Sequence, residues 1–419
     1  MSSKIRFMGQ YRGRSFFFFF FYGIMMTATA CEVHVSKESS GKIQQNDPAK
    51  ITPAAERTAQ YFPLLKGKTI GIVANPASRI GGVHLLDTLL NAGFDVDRVL
   101  APEHGFRGEA EAGEHVDSGE DPKTGVQIIS VYGKNRKPSI SDLQGLDMVI
   151  FDLQDVGVRF YTYISTMHYV MERCAEMGIE FMVLDRPNPN GFYMDGPVLN
   201  KKYQSFIGMH PIPLVHGMTT AELAKMINGE GWLSDRIQVK LTVIPVANYT
   251  HDSLYQLPIA PSPNLPNMKA VYLYPSLGLF EGTPMSIGRG TVFPFQVVGH
   301  PELEQGGFQF TPRSVPGASR YPKHQDETCF GWDLRDTSLA LANERKIHLH
   351  WLIQSYLKSA NQDYFFKPFF NKLAGNATLK QKIRQGWSEE KIRQSWQEEL
   401  NAFQQKRSGY LLYPDFQQY

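Results

Sequence analysis

From Lys68 onward, short apolar segments alternate with segments of helical periodicity, and this pattern constrains the fold most strongly. Strands that alternate with helices favour a parallel sheet covered by helices on both faces. The predicted strands are KTIGIVAN, VDRVLAPE, VQIISVYG, DMVIFDLQD, EFMVLDRP and VKLTVIPV. The predicted helices are VHLLDTLLNAG, YTYISTMHYVMERCAEMG and TTAELAKMING. We therefore predict a Rossmann-like α/β domain over residues 61–248.

A second domain is predicted for residues 249–419, because a chain of 419 residues is long for a single core. This part opens with a proline-rich passage, LPIAPSPNLPNM, of a kind that often marks a crossing between domains. Amphipathic segments such as SLALANERKIHLHWLIQSYLKSA follow it. We predict a smaller domain of mixed α/β structure there.

The first 31 residues have the features of an export signal. A basic start leads into six consecutive phenylalanines, and small residues then precede Cys31. This order is typical of a secretory signal, and the apolar run is shorter than the roughly 20 residues that span a membrane. Cys31 stands where a lipobox places its lipidated cysteine, although Ala28 occupies the position where leucine is usual. A plain cleaved signal with an incidental cysteine is the alternative.

Residues 32–60 are polar and poor in large apolar side chains, which predicts a tether between a membrane surface and the folded part. The expected location is the cell envelope, facing the periplasm or on the surface, with the lipid as the only membrane contact. The net charge of +2 shows none of the basic surplus that is usual in nucleic-acid-binding proteins, so nucleic acid is not an expected partner.

The absence of several sequence motifs argues against several classes of site. The sequence contains no HExxH, and His104 and His115 lie near acids at a spacing that matches no standard zinc set, so no metal is expected. It also lacks a Gly-x-Ser-x-Gly elbow, a Walker loop and a dinucleotide fingerprint at the first strand. These absences argue against a serine hydrolase, a nucleoside triphosphatase and a dinucleotide enzyme, and no cofactor is expected.

Polar side chains follow three predicted strands directly. Glu103 comes after VLAP, Asp152 and Asp155 come at the end of MVIFDLQD, and Asp185 is followed by Arg186 after FMVL. In open α/β sheets, ligands bind beyond the carboxyl ends of the strands. A single acid at such a place commonly caps the next helix. Three strands that end in acids favour an active site.

The loop PEHGFRG places a carboxylate, an imidazole and a guanidinium within five residues. Glu103 is a candidate general acid there, and Arg107 a candidate for holding a carboxylate or other oxygen groups. A turn closed by an ion pair between these two residues is the structural alternative.

The segment DLQDVGVRFYTY combines acids, an amide, an arginine and tyrosines, which suits a ligand rich in hydroxyl groups. Asp155 has an alternative role as a helix cap, and Tyr163 as a core residue. Further polar motifs are DRPNPNG, HGMT, SPN and EGTPMSIGRGT. If these loops converge, the site lies in a cleft between the two domains.

Six strings occur in the order PEHGFRG, DLQDVGVRFYTYI, LDRPNP, HGMT, SPN and EGTPMSIGRGT, across residues 102–291. Together they resemble a bacterial family first known as a domain of unknown function and now associated with exo-acting β-N-acetylmuramidase activity. The resemblance extends from about Lys68 to residue 419. It implies a Rossmann-like N-terminal domain, a smaller C-terminal domain and a site between them. It also implies release of N-acetylmuramic acid from the non-reducing end of peptidoglycan fragments.

The resemblance implies that Glu103 is the catalytic carboxylate, with Glu281 as the first choice and Asp155 as the second choice for the other catalytic group. It implies that polar and aromatic side chains bind the sugar, and that an arginine among them pairs with the lactyl carboxylate. The predicted binding residues are His104, Arg107, Asp152, Gln154, Arg159, Tyr161, Tyr163, Arg186, Asn188, His216, Asn264 and Arg289.

Three questions stay open at this point. The carboxylate separation, roughly 5 Å for retention and 6.5–9.5 Å for inversion, decides the stereochemistry, and the N-acetyl group of the substrate is an alternative nucleophile. A non-catalytic muropeptide-binding lipoprotein would need the arginines and aromatics but not Glu103. An envelope amidase would release an amine rather than a reducing sugar.

Overall fold

The computed structural model describes residues 50–103, 105–106, 118–303 and 307–417, which belong to one compact unit, Ala49–Tyr419. The predicted export signal, Cys31, His104 and Arg107 lie outside the described residues. Residues 32–49 of the predicted tether lie outside them as well. Within the described residues, no helix is long and apolar enough to cross a bilayer.

The strands are β1 (Thr69–Ala74), β2 (Arg79–Ile80), β3 (Val83–His84), β4 (Asp95–Ala101), β5 (Gly119–Glu120), β6 (Gln127–Ser130), β7 (Met148–Asp152), β8 (Glu180–Leu184), β9 (Leu241–Ile244), β10 (Val297–His300), β11 (Phe308–Phe310) and β12 (Cys329–Asp333). The α-helices are α1 (Thr58–Leu65), α2 (Leu85–Asn91), α3 (Ile140–Leu143), α4 (Tyr163–Met177), α5 (Thr220–Gly229), α6 (Met268–Leu277), α7 (Ser338–Asn343), α8 (His350–Lys358), α9 (Phe370–Ala374), α10 (Thr378–Arg384), α11 (Glu389–Gln394) and α12 (Gln397–Ser408).

The central sheet has seven strands in the order β5-β6-β4-β1-β7-β8-β9. All its pairings are parallel except that of β5, which runs antiparallel to β6 at one edge. From β1 the chain moves outward to β4 and β6 and then returns to β7 on the other side of β1. The strand order therefore reverses between β1 and β7, where doubly wound sheets place their ligands. The predicted Rossmann-like α/β architecture is confirmed.

Side chains of the parallel strands pack alternately into two cores, one on each face of the sheet. In β1, Ile70 and Ile72 join Leu86 of α2 on one face, whereas Val73 joins Met167 of α4 on the other. Successive side chains of a strand point to opposite faces, and a parallel sheet is covered on both. This explains why the strands are continuous apolar runs.

Helix α5 begins where its sequence predicts. Thr219 caps it: the backbone N–H of Glu222 donates to the Thr219 hydroxyl, and the backbone N–H of Thr219 donates to the Glu222 carboxylate. Such a capping box satisfies two backbone donors that the first turn leaves free. The long amphipathic segment predicted after residue 337 is divided into α7 and α8.

The folded part begins earlier than the predicted tether allows. Thr52 forms an antiparallel bridge with Ala247, and Ala54 and Ala55 are fully buried. Tyr61 of α1 is buried as well, and its hydroxyl donates to the carbonyl of Ala55. Residues 52–60 therefore belong to the folded unit, which corrects the end of the tether predicted for residues 32–60. The buried side chains here are mainly two alanines, which are too small to stand out as apolar residues in a polar sequence.

The later part of the chain adds a small antiparallel sheet, in the order β10-β12-β11, and several short helices. Asp195 attaches these helices to the first part of the chain. It accepts hydrogen bonds from the indole nitrogen of Trp396 and the backbone N–H of Ile347, and it pairs with Arg393. The domain boundary at residues 248–249 stays a prediction.

Residues near the end of the chain are fastened to the carboxyl edge of the sheet. The hydroxyl of Tyr413 donates to Oδ2 of Asp185 at 2.5 Å, just after β8. The backbone N–H of Leu412 donates to Oε1 of Glu222 in α5 at 2.8 Å. Asp185 and Glu222 are both fully buried.

Candidate active site

A pocket of about 420 Å³ lies beyond the carboxyl ends of β4 and β6 and is lined by residues from both the earlier and the later part of the chain. The predicted residues Glu103, Tyr161, Asn264, Glu281 and Arg289 line it. Four of the six motifs, which are distant in sequence, therefore contribute residues to one pocket. The remaining lining residues are Tyr132, Arg136, Phe160, Thr162, Ser205, Phe206, Ile207, Ser262, Leu265, Tyr274, Gly278, Phe295, Phe369, Lys372 and Leu373.

Glu103 lies two residues beyond the end of β4, and hydroxyl groups hold both of its carboxyl oxygens. Tyr132 donates to Oε1 at 2.8 Å, and Thr162 donates to Oε2 at 2.7 Å. Tyr132 follows β6, and Thr162 immediately precedes α4. The ends of two neighbouring strands and the start of one helix thus fix the direction of this carboxyl group.

Glu281 and Arg289 form an ion pair within the pocket, with Nε of Arg289 donating to Oε1 of Glu281 at 2.6 Å. Burial alone would raise the pKa of Glu281, but Arg289 and Lys323 together hold that pKa below its usual value. The ammonium group of Lys323 also donates to the carbonyls of Thr283 at 2.7 Å and Phe280 at 3.1 Å. Glu281 is therefore an ionised carboxylate, suited to act as a base or to stabilise positive charge.

Aromatic rings form one wall of the pocket. The ring of Tyr274 lies 5.1 Å from Phe160, 5.9 Å from Tyr161 and 4.9 Å from Phe295, edge to face in each case. The hydroxyl of Tyr161 donates to the carbonyl of Pro261 at 2.7 Å, and burial raises its pKa well above the usual value. Neutral aromatic faces of this kind pack against the apolar faces of sugar rings.

Asn264 offers a buried polar atom to the pocket. Its side-chain nitrogen donates to the carbonyl of Ala318 at 2.8 Å. Its Oδ1 is buried and has no hydrogen-bond partner among the described residues. An amide oxygen in this state is suited to accept a hydrogen bond from a hydroxyl or amide group of a ligand.

Seven of the predicted binding residues in the described ranges do not line the pocket: Asp152, Gln154, Arg159, Tyr163, Arg186, Asn188 and His216. Arg186 forms a buried two-point ion pair with Asp152, at 2.6 and 2.9 Å. Gln154 donates to the carbonyl of Pro187, and Asn188 donates to that of Met218. The backbone N–H of Met218 donates to Nδ1 of His216, whose pKa is lowered to about 3 by burial first and by Arg407 second. These side chains hold the loops of the site together.

Arg159 is fully buried rather than exposed to a ligand. Its guanidinium donates to the carbonyls of Pro197 at 2.7 Å, Ile212 at 2.8 Å and Leu373 at 3.0 Å. Burial lowers its pKa to about 9, so the group stays charged near neutral pH. It joins three segments directly behind the pocket wall, and it does not line the pocket.

Asp155 and Tyr163 also lie in the interior and do not line the pocket. Oδ1 of Asp155 accepts from the backbone N–H of Gly157 at 2.7 Å, while burial raises the pKa of this acid to about 7. The backbone of Gly157 has a φ of 75°, and a side chain there would collide with Asn188. Tyr163 accepts a hydrogen bond from Asn75 at 2.9 Å. Between the two candidates for the second catalytic group, the geometry favours Glu281 over Asp155.

Several lining residues were missed by the sequence analysis, among them Tyr132, Arg136, Phe206, Tyr274 and Lys372. Tyr132 lies two residues beyond β6, just as Glu103 lies two residues beyond β4, so the rule that identified Glu103 also applied to it. The others carry no local signal, because tertiary packing brings them to the site. In the described part of the chain, no three His, Cys, Asp or Glu side chains are grouped so that they could hold a metal ion.

Family models match nearly the whole of the described chain. The model for the N-terminal part of exo-β-N-acetylmuramidase NamZ matches residues 70–269, and the model for its C-terminal part matches residues 272–413. The chain belongs to the NamZ family. It is therefore a glycoside hydrolase of the exo-β-N-acetylmuramidase class, and the predicted family and enzyme class are confirmed.

Individual relatives agree with this NamZ membership. A Bacillus subtilis (strain 168) protein, peptidoglycan β-N-acetylmuramidase NamZ, is 38% identical over 410 residues, covering 93% of this chain and 98% of the relative. A crystal structure of a DUF1343 family protein from Bacteroides fragilis is 46% identical, with a TM-score of 0.82, covering 88% of this chain and 100% of that one. A second such structure from the same organism is 28% identical, with a TM-score of 0.73, covering 87% and 99%.

Proposed function

We propose that this NamZ family member hydrolyses the bond between a terminal N-acetylmuramic acid and the rest of a peptidoglycan fragment, with Glu103 as the proton donor. The observation that carries the assignment is the pair of hydroxyls, from Tyr132 and Thr162, on the two oxygens of Glu103. A hydroxyl can donate to a carboxylate and accept from a protonated acid. The two neighbours therefore hold the group in one place before and after it gives up its proton.

Glu281 supplies a negative charge that stabilises the transition state. Its partners Arg289 and Lys323 keep it ionised within the same pocket as Glu103. Glycoside hydrolysis passes through a transition state with positive charge near the anomeric carbon. A carboxylate fixed in a pocket of low dielectric constant stabilises such charge more strongly than one in water. The name of the Bacillus subtilis relative supports peptidoglycan as the source of the sugar.

Two leaving groups distinguish the roles of the two acids. The substrates are the 4-nitrophenyl β-glycoside of N-acetylmuramic acid and a disaccharide with N-acetylglucosamine as leaving group. Glu103→Gln should lower the rate of hydrolysis of the disaccharide by about 10²- to 10⁴-fold, which is the usual contribution of a proton donor. The same change should lower the rate of hydrolysis of the nitrophenyl glycoside much less, because nitrophenolate leaves without a proton. Glu281→Gln should slow both substrates to a similar extent.

The exposed Glu120 provides the matched control, and Glu120→Gln should keep the wild-type rates. Equal losses of Glu103→Gln on the two leaving groups would contradict the role of proton donor. A folded wild-type protein that hydrolyses neither substrate would contradict the activity itself.

We also propose that the chain is exported and anchored through a lipid on Cys31. The proposal is supported by the basic start, the phenylalanine run and the small residues before this cysteine. In cells fed an alkyne-labelled fatty acid, the wild-type chain should carry the label and sediment with membranes. Cys31→Ala should lose the label and appear in the soluble fraction, whereas Cys174→Ala, a change at a buried cysteine, should not. A label that persists in Cys31→Ala would refute the anchor.

A further inference from the structure

Three positively charged side chains line the pocket, and only one of them is paired with an acid. Arg289 is engaged by Glu281. The side chains of Arg136 and Lys372 form neither an ion pair nor a hydrogen bond with any residue that the structure describes. Unpaired cations at a concave site favour the binding of an anionic ligand group.

The guanidinium of Arg136 and the backbone of Lys372 flank one turn of the chain, residues 205–208. The guanidinium carbon of Arg136 lies 4.4 Å from the centre of the Phe206 ring. On the other side, a side chain at Gly208 would meet the carbonyl of Lys372 at 3.6 Å. The turn is closed by two hydrogen bonds between the backbones of Ser205 and Gly208, at 2.9 and 3.0 Å.

The hydroxyl of Ser205 also favours an anionic ligand group at this turn. Ser205 lines the pocket, and its hydroxyl oxygen is buried with no hydrogen-bond partner among the described residues. A buried polar group in this state indicates a missing partner. The guanidinium of Arg136, the backbone of Lys372 and the free hydroxyl of Ser205 therefore all lie around the turn 205–208 at the pocket.

Arg159 strengthens the positive potential on that side. Its buried guanidinium donates to the carbonyl of Leu373, next to Lys372, and it has no carboxylate partner in the described ranges. Charges in the protein interior are screened less than exposed ones, so their field acts over a longer distance. The wall behind Lys372 therefore contains a buried positive charge that no described carboxylate pairs with.

We propose that Arg136, Lys372 and Ser205 form a carboxylate-binding subsite that holds the lactyl group of N-acetylmuramic acid. The inference rests on the proposed function and names the part of the substrate that the pocket selects. N-acetylglucosamine has the same sugar ring and acetamido group but lacks this carboxylate. The subsite therefore determines the choice between the two sugars. Stacking on Phe206 fixes the plane of the Arg136 guanidinium, which lowers the entropy lost when a carboxylate binds.

The subsite also lies beside the catalytic carboxyl group. The ring of Tyr132, whose hydroxyl donates to Glu103, is 6.1 Å from the ring of Phe206. A sugar gripped by its lactyl group is thus held near the proton donor. This positioning makes the subsite a determinant of specificity and of binding, while Arg136 and Lys372 carry out no bond-making step.

A matched pair of substrates tests the subsite. They are the 4-nitrophenyl glycoside of N-acetylmuramic acid and its lactyl methyl ester, which differ by one charge. The wild type should prefer the acid, and added salt should reduce that preference. Arg136→Gln and Lys372→Gln should each lower the ratio of kcat/KM for acid over ester by about 10- to 100-fold, the range for one charge-assisted hydrogen bond. The change should appear mainly in KM for the acid.

Two further variants separate charge from folding. Arg136→Lys should restore part of the ratio, because it keeps the charge and loses the planar fork. Lys134→Gln, an exposed change in the same loop outside the pocket, should keep the wild-type ratio. Wild-type ratios in folded Arg136→Gln and Lys372→Gln would overturn the subsite, and so would a wild type that treats acid and ester alike. If the wild type hydrolyses neither glycoside, the proposed function fails separately, and affinities for free N-acetylmuramic acid and its methyl ester then decide on the subsite.

Discussion

The hydroxyl of Tyr132 donates a 2.8 Å hydrogen bond to Oε1 of Glu103, across 29 positions of sequence. The two residues meet because they follow β6 and β4, which are adjacent parallel strands. The carboxyl ends of such strands lie at one edge of the sheet. The sheet itself therefore brings a hydroxyl donor to the catalytic acid.

Removing this donor should slow catalysis. Tyr132→Phe should lower kcat on the disaccharide by about 10-fold, because Glu103 loses one of the two groups that orient it. Tyr169→Phe is the matched control, since its ring stacks beside Phe206 at 6.3 Å and no hydrogen bond holds its hydroxyl in the described structure. Steady-state kinetics on both variants measures the effect. Equal losses would assign it to packing rather than to the bond with Glu103.

Lys323 should influence the pH dependence of catalysis through Glu281. Its positive charge helps to hold the pKa of Glu281 below the usual value, although burial opposes this. Lys323→Met removes that charge, so the pKa of Glu281 rises and activity on the acid side is lost at a higher pH. We expect the acidic limb of the kcat/KM profile to move to higher pH, with Lys346→Met, at a half-exposed lysine outside the pocket, as a control. An unchanged limb would show that Glu281 need not be ionised.

Asp155 should make the protein less stable as the pH rises. Burial raises its pKa from 3.8 to about 7, so between these values the folded state keeps a proton that the unfolded chain releases. Stability therefore falls through this window, by at most about 1.4 kcal/mol per pH unit. Asp155→Asn should flatten that slope in thermal unfolding measured from pH 4 to 8. The exposed Asp336→Asn should keep the wild-type slope, and a variant as steep as the wild type would rule out Asp155 as the cause.

Arg159 should matter for folding more than for recognition of the sugar. Arg159→Leu leaves three buried carbonyls, of Pro197, Ile212 and Leu373, without their donor. We expect a loss of about 3–5 kcal/mol in the free energy of unfolding, measured by denaturant titration. Arg313→Leu breaks an exposed ion pair with Asp326 and should cost less than about 1 kcal/mol. Similar small losses in both variants would contradict the buried role.

The sheet was predictable because each of its strands is a separate apolar run with its own polar end. β1, β4, β7 and β8 each fall inside a segment that the sequence marks. The same rule located Glu103, and the motifs located Glu281, Asn264 and Arg289. Small elements such as β5, with two residues, are too short to show a periodicity.

The binding residues were harder to predict, because a motif does not reveal what its side chains face. Arg159 and Arg186 belong to the family motifs, yet both have partners in the protein interior. Arg159 donates to backbone carbonyls, and Arg186 pairs with Asp152. Arg136 and Lys372 stand outside those motifs and reach the pocket through tertiary packing. An arginine that holds loops together and one that awaits a ligand look alike in a sequence, since only burial and partners distinguish them.

The hydrogen bonds of Leu412 and Tyr413 make the folding of the sheet edge depend on residues near the end of the described chain. Glu222 and Asp185 each have a hydrogen-bond partner that lies 190 and 228 positions later in the chain, respectively. Until those partners arrive, two acids at the edge of the sheet can be closed off from water only at a high energetic cost. The carboxyl edge of the sheet that carries Glu103 is therefore complete only when residues 412 and 413 have packed onto it, and we expect a chain that ends before residue 412 to be less stable and more sensitive to proteases.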